Sequence, residues 1–172
     1  MITIEDIKNC GLRCNWTLLY YGVPYHMERK EVVNYAIEKC MEEDDDPDVC
    51  YLAGLTKDDA YEIDRTIVVL AEKEKGSIEL AKKSIQIVEV DKALRQFSET
   101  YNGKTETEKK LQLVEIWHDC GCPPDNGASF FGKYDYFPSD LFYKEPYSGL
   151  YKAIEEWIEG EKLVIKSAEV NS

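Results

Sequence analysis

Six cysteines, two histidines and one run of carboxylates are the side chains of this 172-residue sequence whose types and spacing could do chemistry. Cys10-x-x-x-Cys14, taken with His118-Asp119-Cys120-Gly121-Cys122, offers thiolates and an imidazole, the ligands that suit a tetrahedral zinc ion. The spacing argues against that reading. Neither pair has the C-x-x-C form of a zinc knuckle, and a C-x-C pair would have to bend sharply around one metal. Thiols serving as small buried hydrophobes are the simpler expectation, with Cys40 assigned to the core by its place on an apolar stripe. Three disulfides would fit a secreted miniprotein, but a chain of this length buries enough surface to fold without them. His118 and Cys120 could pair as base and nucleophile only if a helix broke at Asp119, because residues two apart on a helix do not face each other. The chain contains no G-x-S-x-G, H-E-x-x-H, phosphate-binding loop or dinucleotide fingerprint. The expectation is a protein that is not an enzyme, with no catalytic residue, no metal and no cofactor.

The sharpest local charge feature is Glu42-Glu43-Asp44-Asp45-Asp46-Pro47-Asp48. Asp44, Asp46 and Asp48 have the alternate spacing that begins a calcium loop, but Val49 stands where the loop needs glycine and Leu55 where it needs glutamate, which excludes an EF-hand. Across the whole chain 34 acidic and 21 basic side chains give a formal net charge of −13. Such a surface repels phosphate backbones and anionic lipid, and the basic pairs Lys82-Lys83 and Lys109-Lys110 are too short to reverse it. A basic protein is the electrostatic complement, with Glu42, Glu43, Asp44, Asp45, Asp46 and Asp48 as candidate contacts. Ten of the 20 aromatic residues lie between Phe130 and Trp157. Stacking on nucleic-acid bases would require a positive groove, whereas this segment carries Asp135, Asp140 and Glu145. Its rings are expected to bind the loop to the helices, and any left exposed, Tyr134, Tyr136, Phe137 and Tyr143 being the candidates, are the anchors protein interfaces favour.

The elements that must position these residues read as helices almost throughout. Thr3 with Asp6 forms a capping box and Gly11 a stop; Asn15 opens a second short helix carrying Trp16, Leu19 and Tyr20 and ending at Gly22-Val23-Pro24. A helix over about 28–42 presents Val33, Ala36, Ile37, Cys40 and Met41 to the core. Asp46-Pro47-Asp48 caps another short helix, and Thr56 with Asp59 opens one over about 57–75 that buries Ile63, Ile67 and Leu70. After Ser77 two adjacent apolar stripes mark a central helix, although Ile85-Gln86-Ile87-Val88-Glu89-Val90 alternates in part like a strand. Thr105-Glu106-Thr107-Glu108 caps the next helix. Residues 119–149 hold four of the six prolines and four of the ten glycines, predicting an irregular aromatic loop. A closing helix over 150–160 ends at Gly160, and in the tail 161–172 Leu163-Val164-Ile165 reads as a short strand or docked extension.

The fold class expected is therefore all-α: one domain, 1–172, with a helical body at 1–118 built as an irregular multi-helix bundle or helix-pair array, then the aromatic loop and the closing helix. No run reaches the roughly 18 to 20 apolar residues of a membrane span, and the acidic start Glu5-Asp6 is unlike a secretory signal, so a cytoplasmic location is expected. Leu12-Arg13-Cys14-Asn15-Trp16-Thr17-Leu18-Leu19-Tyr20-Tyr21-Gly22, then Glu31-Val32-Val33-Asn34-Tyr35-Ala36, then Ile116-Trp117-His118-Asp119-Cys120-Gly121-Cys122-Pro123-Pro124-Asp125 resemble a family of small acidic bacterial proteins of unknown function. Such proteins often resemble immunity proteins encoded beside polymorphic toxins. The resemblance implies a toxin domain as the basic partner and supplies no catalytic residue. The function expected is non-enzymatic protein binding; the alternatives are a zinc-binding protein or metal-dependent enzyme using the clustered Cys/His residues, and a helical scaffold or assembly subunit.

Overall fold

Local capping chemistry sets most of the helix starts. Thr3 accepts from the Asp6 amide at 3.2 Å while the Asp6 carboxylate takes the Thr3 amide at 2.9 Å, which opens α1 (Ile4–Asn9). Gly11 follows at φ +77°, a left-handed turn that a side chain would strain. Asn15 caps α2 (Trp16–Gly22), accepting from the Leu18 amide at 2.8 Å. Then come α3 (Arg29–Met41), α4 (Pro47–Ala53), α5 (Ala60–Glu74), α6 (Ile78–Thr100), α7 (Glu106–Asp119) and α8 (Tyr147–Val170). This computed structural model describes residues 1–43, 45–100, 102–120 and 144–170. Among them the architecture is all-α, and the only β pairing is an isolated parallel bridge between Ile2 and Met27.

The chain divides into two compact units, Met1–Ile85 and Gln86–Ser172, each an irregular packing of helices. In the first, α2 and α3 pack on α5, and α4 packs on both α3 and α5. The core there is Ile7, Leu18, Leu19, Met27, Leu52, Ile63, Ile67 and Ile85, all at most 2% exposed. Each such aliphatic side chain contributes about 1.5–3 kcal/mol by leaving water. Carboxylates from other helices complete this unit. Glu31 of α3 accepts the buried Ile4 amide at 3.0 Å, and Glu74 at the end of α5 takes the Trp16 and Thr17 amides at 3.2 and 2.7 Å. Both therefore satisfy orphan N–H groups at the positive end of a helix in a distant part of the sequence.

In the second unit α7 packs on α8, where Trp117 meets Trp157 edge to face at 4.9 Å, and Phe97 of α6 meets Tyr151 of α8 at 5.9 Å. Thr105 with Glu108 forms the expected capping box, and Glu106 takes the Tyr147 amide at 2.6 Å where α8 begins.

The segment 85–90 is helical, as the stripes that continue on both sides of it lead one to expect. Three sequence expectations change. The helix predicted over 57–75 begins three residues later, because Thr56 gives both its amide and its hydroxyl to Asp59 at 2.8 Å and these bonds hold a turn. The strand at Leu163-Val164-Ile165 is absent: α8 runs through Gly160 to Val170, burying Ile154, Ile158, Lys162 and Ile165 at steps of four, four and three. Lys162 buries its stem while its ammonium reaches Glu159 at 2.8 Å. Finally, the α3 stripe is buried only in its first half. Val33 and Ala36 are covered, whereas Ile37 is 42% exposed, Met41 is 81% exposed and Cys40 is half-buried.

Candidate functional site

The acidic run lies between α3 and α4, and its carboxylates divide into two groups. Glu42 caps the end of α3 and pairs with Lys39 at 2.7 Å, which holds its carboxyl below the usual range. Asp46 is the N-cap of α4, accepting from the Asp48 amide at 2.9 Å. Lys73, reaching over from α5, binds Asp46 at 2.8 Å and Asp48 at 2.7 Å. This ammonium is the first cause of the lowered Asp46 pKa, and the Asp48 amide adds to it. The two aspartates in turn raise Lys73 above its ordinary value. Part of the run thus fastens α4 to α5. Glu43 and Asp45 are exposed, and Glu43 sits at φ +65° in the turn that leaves α3. Asp44 lies outside the described residues.

Around this loop the surface is acidic and carries large rings. Residues 42–64 contain ten acidic side chains and one basic one, Lys57. Tyr51 on α4 is 50% exposed, Tyr61 on α5 is 75% exposed, and Met41 at the end of α3 is 81% exposed. The Tyr51 hydroxyl donates to Glu62 at 3.3 Å, so α4 and the first turn of α5 present their rings and acids together. Asp64 is committed to Arg29, which binds it through two nitrogens at 2.8 and 2.7 Å, and Asp59 to Thr56. Glu43, Asp45 and Asp58 remain as exposed carboxylates accessible to a visitor.

The sequence pointed to the acids of this face and missed its rings. Tyr51 and Tyr61 sit at polar positions of short amphipathic helices, a placement that marks them as outward-facing. Met41 was assigned to the core, and only the end of the α3 packing exposes it. Of the aromatic candidates, Tyr134, Tyr136, Phe137 and Tyr143 lie outside the described residues.

Cysteine placement follows burial rather than ligation where it is described. Cys10 and Cys14 are buried, and burial pushes the Cys14 thiol up to about 12. The buried Tyr35 hydroxyl donates to the Cys14 carbonyl at 2.9 Å, and burial raises its pKa as well. Cys120, the C-cap of α7, is half-buried, and desolvation with Glu89 and Asp119 nearby pushes its thiol up to about 12. That is opposite to the electropositive setting a nucleophilic cysteine needs. His118 is exposed on the last turn of α7. Cys122 lies outside the described residues, and among those described no group of three or more His, Cys, Asp or Glu is arranged to hold a metal. No described helix is long and apolar enough to cross a membrane.

Residues 4–162 match the sequence profile of the family described as "Uncharacterized protein conserved in bacteria (DUF2247)". The chain belongs to this family. No curated protein and no solved structure matches it.

Proposed function

We propose that this member of the bacterial DUF2247 family is a non-enzymatic protein-binding protein that docks a basic partner on the face formed by the end of α3, α4 and the start of α5. The observation that carries the reading is the exposure of Tyr51 and Tyr61 within a segment of ten acids and one base. Exposed tyrosines supply rigid contact area, and the surrounding carboxylates raise the encounter rate with a cation. The partner class that fits is a basic toxin domain, with this chain as its immunity protein. In that role Glu43 and Asp45 steer, the Tyr51 and Tyr61 rings anchor, and Lys73 holds Asp46 and Asp48 so that the loop meets the partner in one shape.

The test is co-expression with the products of adjacent genes, followed by binding kinetics on the complex recovered. A partner side chain worth about 2 kcal/mol at the interface centre changes affinity roughly thirtyfold. Tyr51→Ala and Tyr61→Ala should therefore raise the dissociation rate by about tenfold or more, and Glu43→Lys with Asp45→Lys should slow association and flatten its dependence on salt. A complex whose kinetics ignore all four substitutions removes this face from consideration.

A further inference from the structure

Cys40 near the end of α3 and Cys50 in α4 bracket the acidic loop, and their sulfurs are 3.8 Å apart. We infer that these two thiols form a dithiol–disulfide pair that an oxidant closes across the acidic loop, a modification site independent of any partner. The sulfurs are already in van der Waals contact. A disulfide bond is roughly 2.05 Å, so closure needs the two sulfurs to approach by about 1.8 Å. Access is graded in the useful direction, with Cys50 exposed and Cys40 half-buried. The remaining described cysteines compete poorly, because Cys10 and Cys14 are buried and the Cys120 thiol is held protonated well above neutral pH.

With hydrogen peroxide as oxidant the chemistry balances in two steps. The Cys50 thiolate attacks peroxide, the O–O bond breaks, hydroxide leaves, and Cys50 becomes a sulfenic acid. The Cys40 sulfur then attacks the Cys50 sulfur; the S–S bond forms, the S–O bond breaks, and the departing hydroxide takes the Cys40 proton as water. The pair loses two electrons and two protons, and peroxide is reduced to two waters. A thiol reductant reverses the change by exchange through a mixed disulfide. The consequence is mechanical: the segment carrying Glu42, Glu43, Asp45, Asp46 and Asp48 becomes a covalent ring.

The experiment treats the full chain, in a Cys120→Ser/Cys122→Ser background that leaves Cys40 and Cys50 untouched, with limiting hydrogen peroxide. Alkylation and non-reducing peptide mass mapping follow. The result expected is a monomer lighter by two hydrogens, with Cys40 and Cys50 protected from alkylation, a single linked peptide containing both, and full return of both thiols on reduction. The unsubstituted chain should give the same linked peptide. Linkage through Cys10 or Cys14, an intermolecular dimer through Cys50, or accumulation of sulfinic acid at Cys50 while Cys40 still alkylates would each overturn the inference.

Discussion

Replacing Glu31 with alanine should destabilise the first unit far more than loss of a surface acid would. Glu31 is 7% exposed, and its carboxylate accepts the Ile4 amide at 3.0 Å, 27 residues away, at the first turn of α1. Ile4 itself is 4% exposed, so water cannot easily replace the lost acceptor. A hydrogen bond to a charged group contributes about 1.5–3 kcal/mol net, and an anion at a helix N-terminus adds about 0.3–1 kcal/mol. The sum is about 2–4 kcal/mol, close to half the stability of an ordinary domain at its lower end. Glu31→Gln keeps an acceptor and loses the charge, so it should cost about half as much. Urea unfolding followed by far-UV circular dichroism gives the midpoint for each variant, and amide exchange at Ile4 reports the local bond. Midpoints for Glu31→Ala and the unsubstituted chain that coincide, with Ile4 protection unchanged, would refute the claim that distant carboxylates cap these helices.

Other outcomes follow from the same geometry. Gly76→Ala should destabilise by about 1–3 kcal/mol, as over-packing does. Its Cβ would lie 2.8 Å from the Thr17 Cβ, and Thr17 is 2% exposed with its hydroxyl committed to Glu74 at 2.8 Å, so it has nowhere to turn; a thermal melt measures the loss. On the acid side, Glu42, Asp46, Asp59 and Glu108 all have folded pKa values below their ordinary ones. Each therefore adds stability that is present above the unfolded carboxylate range and is lost as pH falls through the lower folded values. Glu155 has the opposite sign, raised first by burial, so its neutralisation partly offsets that loss. Midpoints measured in a pH series from neutrality down through the carboxylate range should fall, and a flat series would contradict the assigned pairings.

Features specified by adjacent residues were the ones legible in the sequence. The Thr3/Asp6 and Thr105/Glu108 boxes, the Asn15 cap and the Asp46-Pro47 start need only a few neighbouring side chains, and all four occur. Features that depend on what packs where were not. Periodicity placed Ile37 and Met41 on the same stripe as Val33 and Ala36, but a stripe is buried only as far as its neighbours extend, and here they stop short of the helix end. Gly160 read as a terminator, yet a glycine inside a helix costs only about 1 kcal/mol, which the buried Ile158, Lys162 and Ile165 face outweighs. The acids of residues 42–48 were visible as charge, whereas their division into paired and exposed groups rests on Lys73, more than 20 residues away in sequence. The contact of Cys40 with Cys50 was hidden for the same reason: it depends on how α4 lies against α3.

The most direct measurement of the docking claim is hydrogen–deuterium exchange on this chain alone and in complex with whatever partner co-expression recovers. New protection should concentrate in residues 41–62 and be lost when Tyr51 and Tyr61 are replaced by alanine, with an association rate that falls as salt rises. Protection confined to other segments, together with an association rate indifferent to salt, would contradict it.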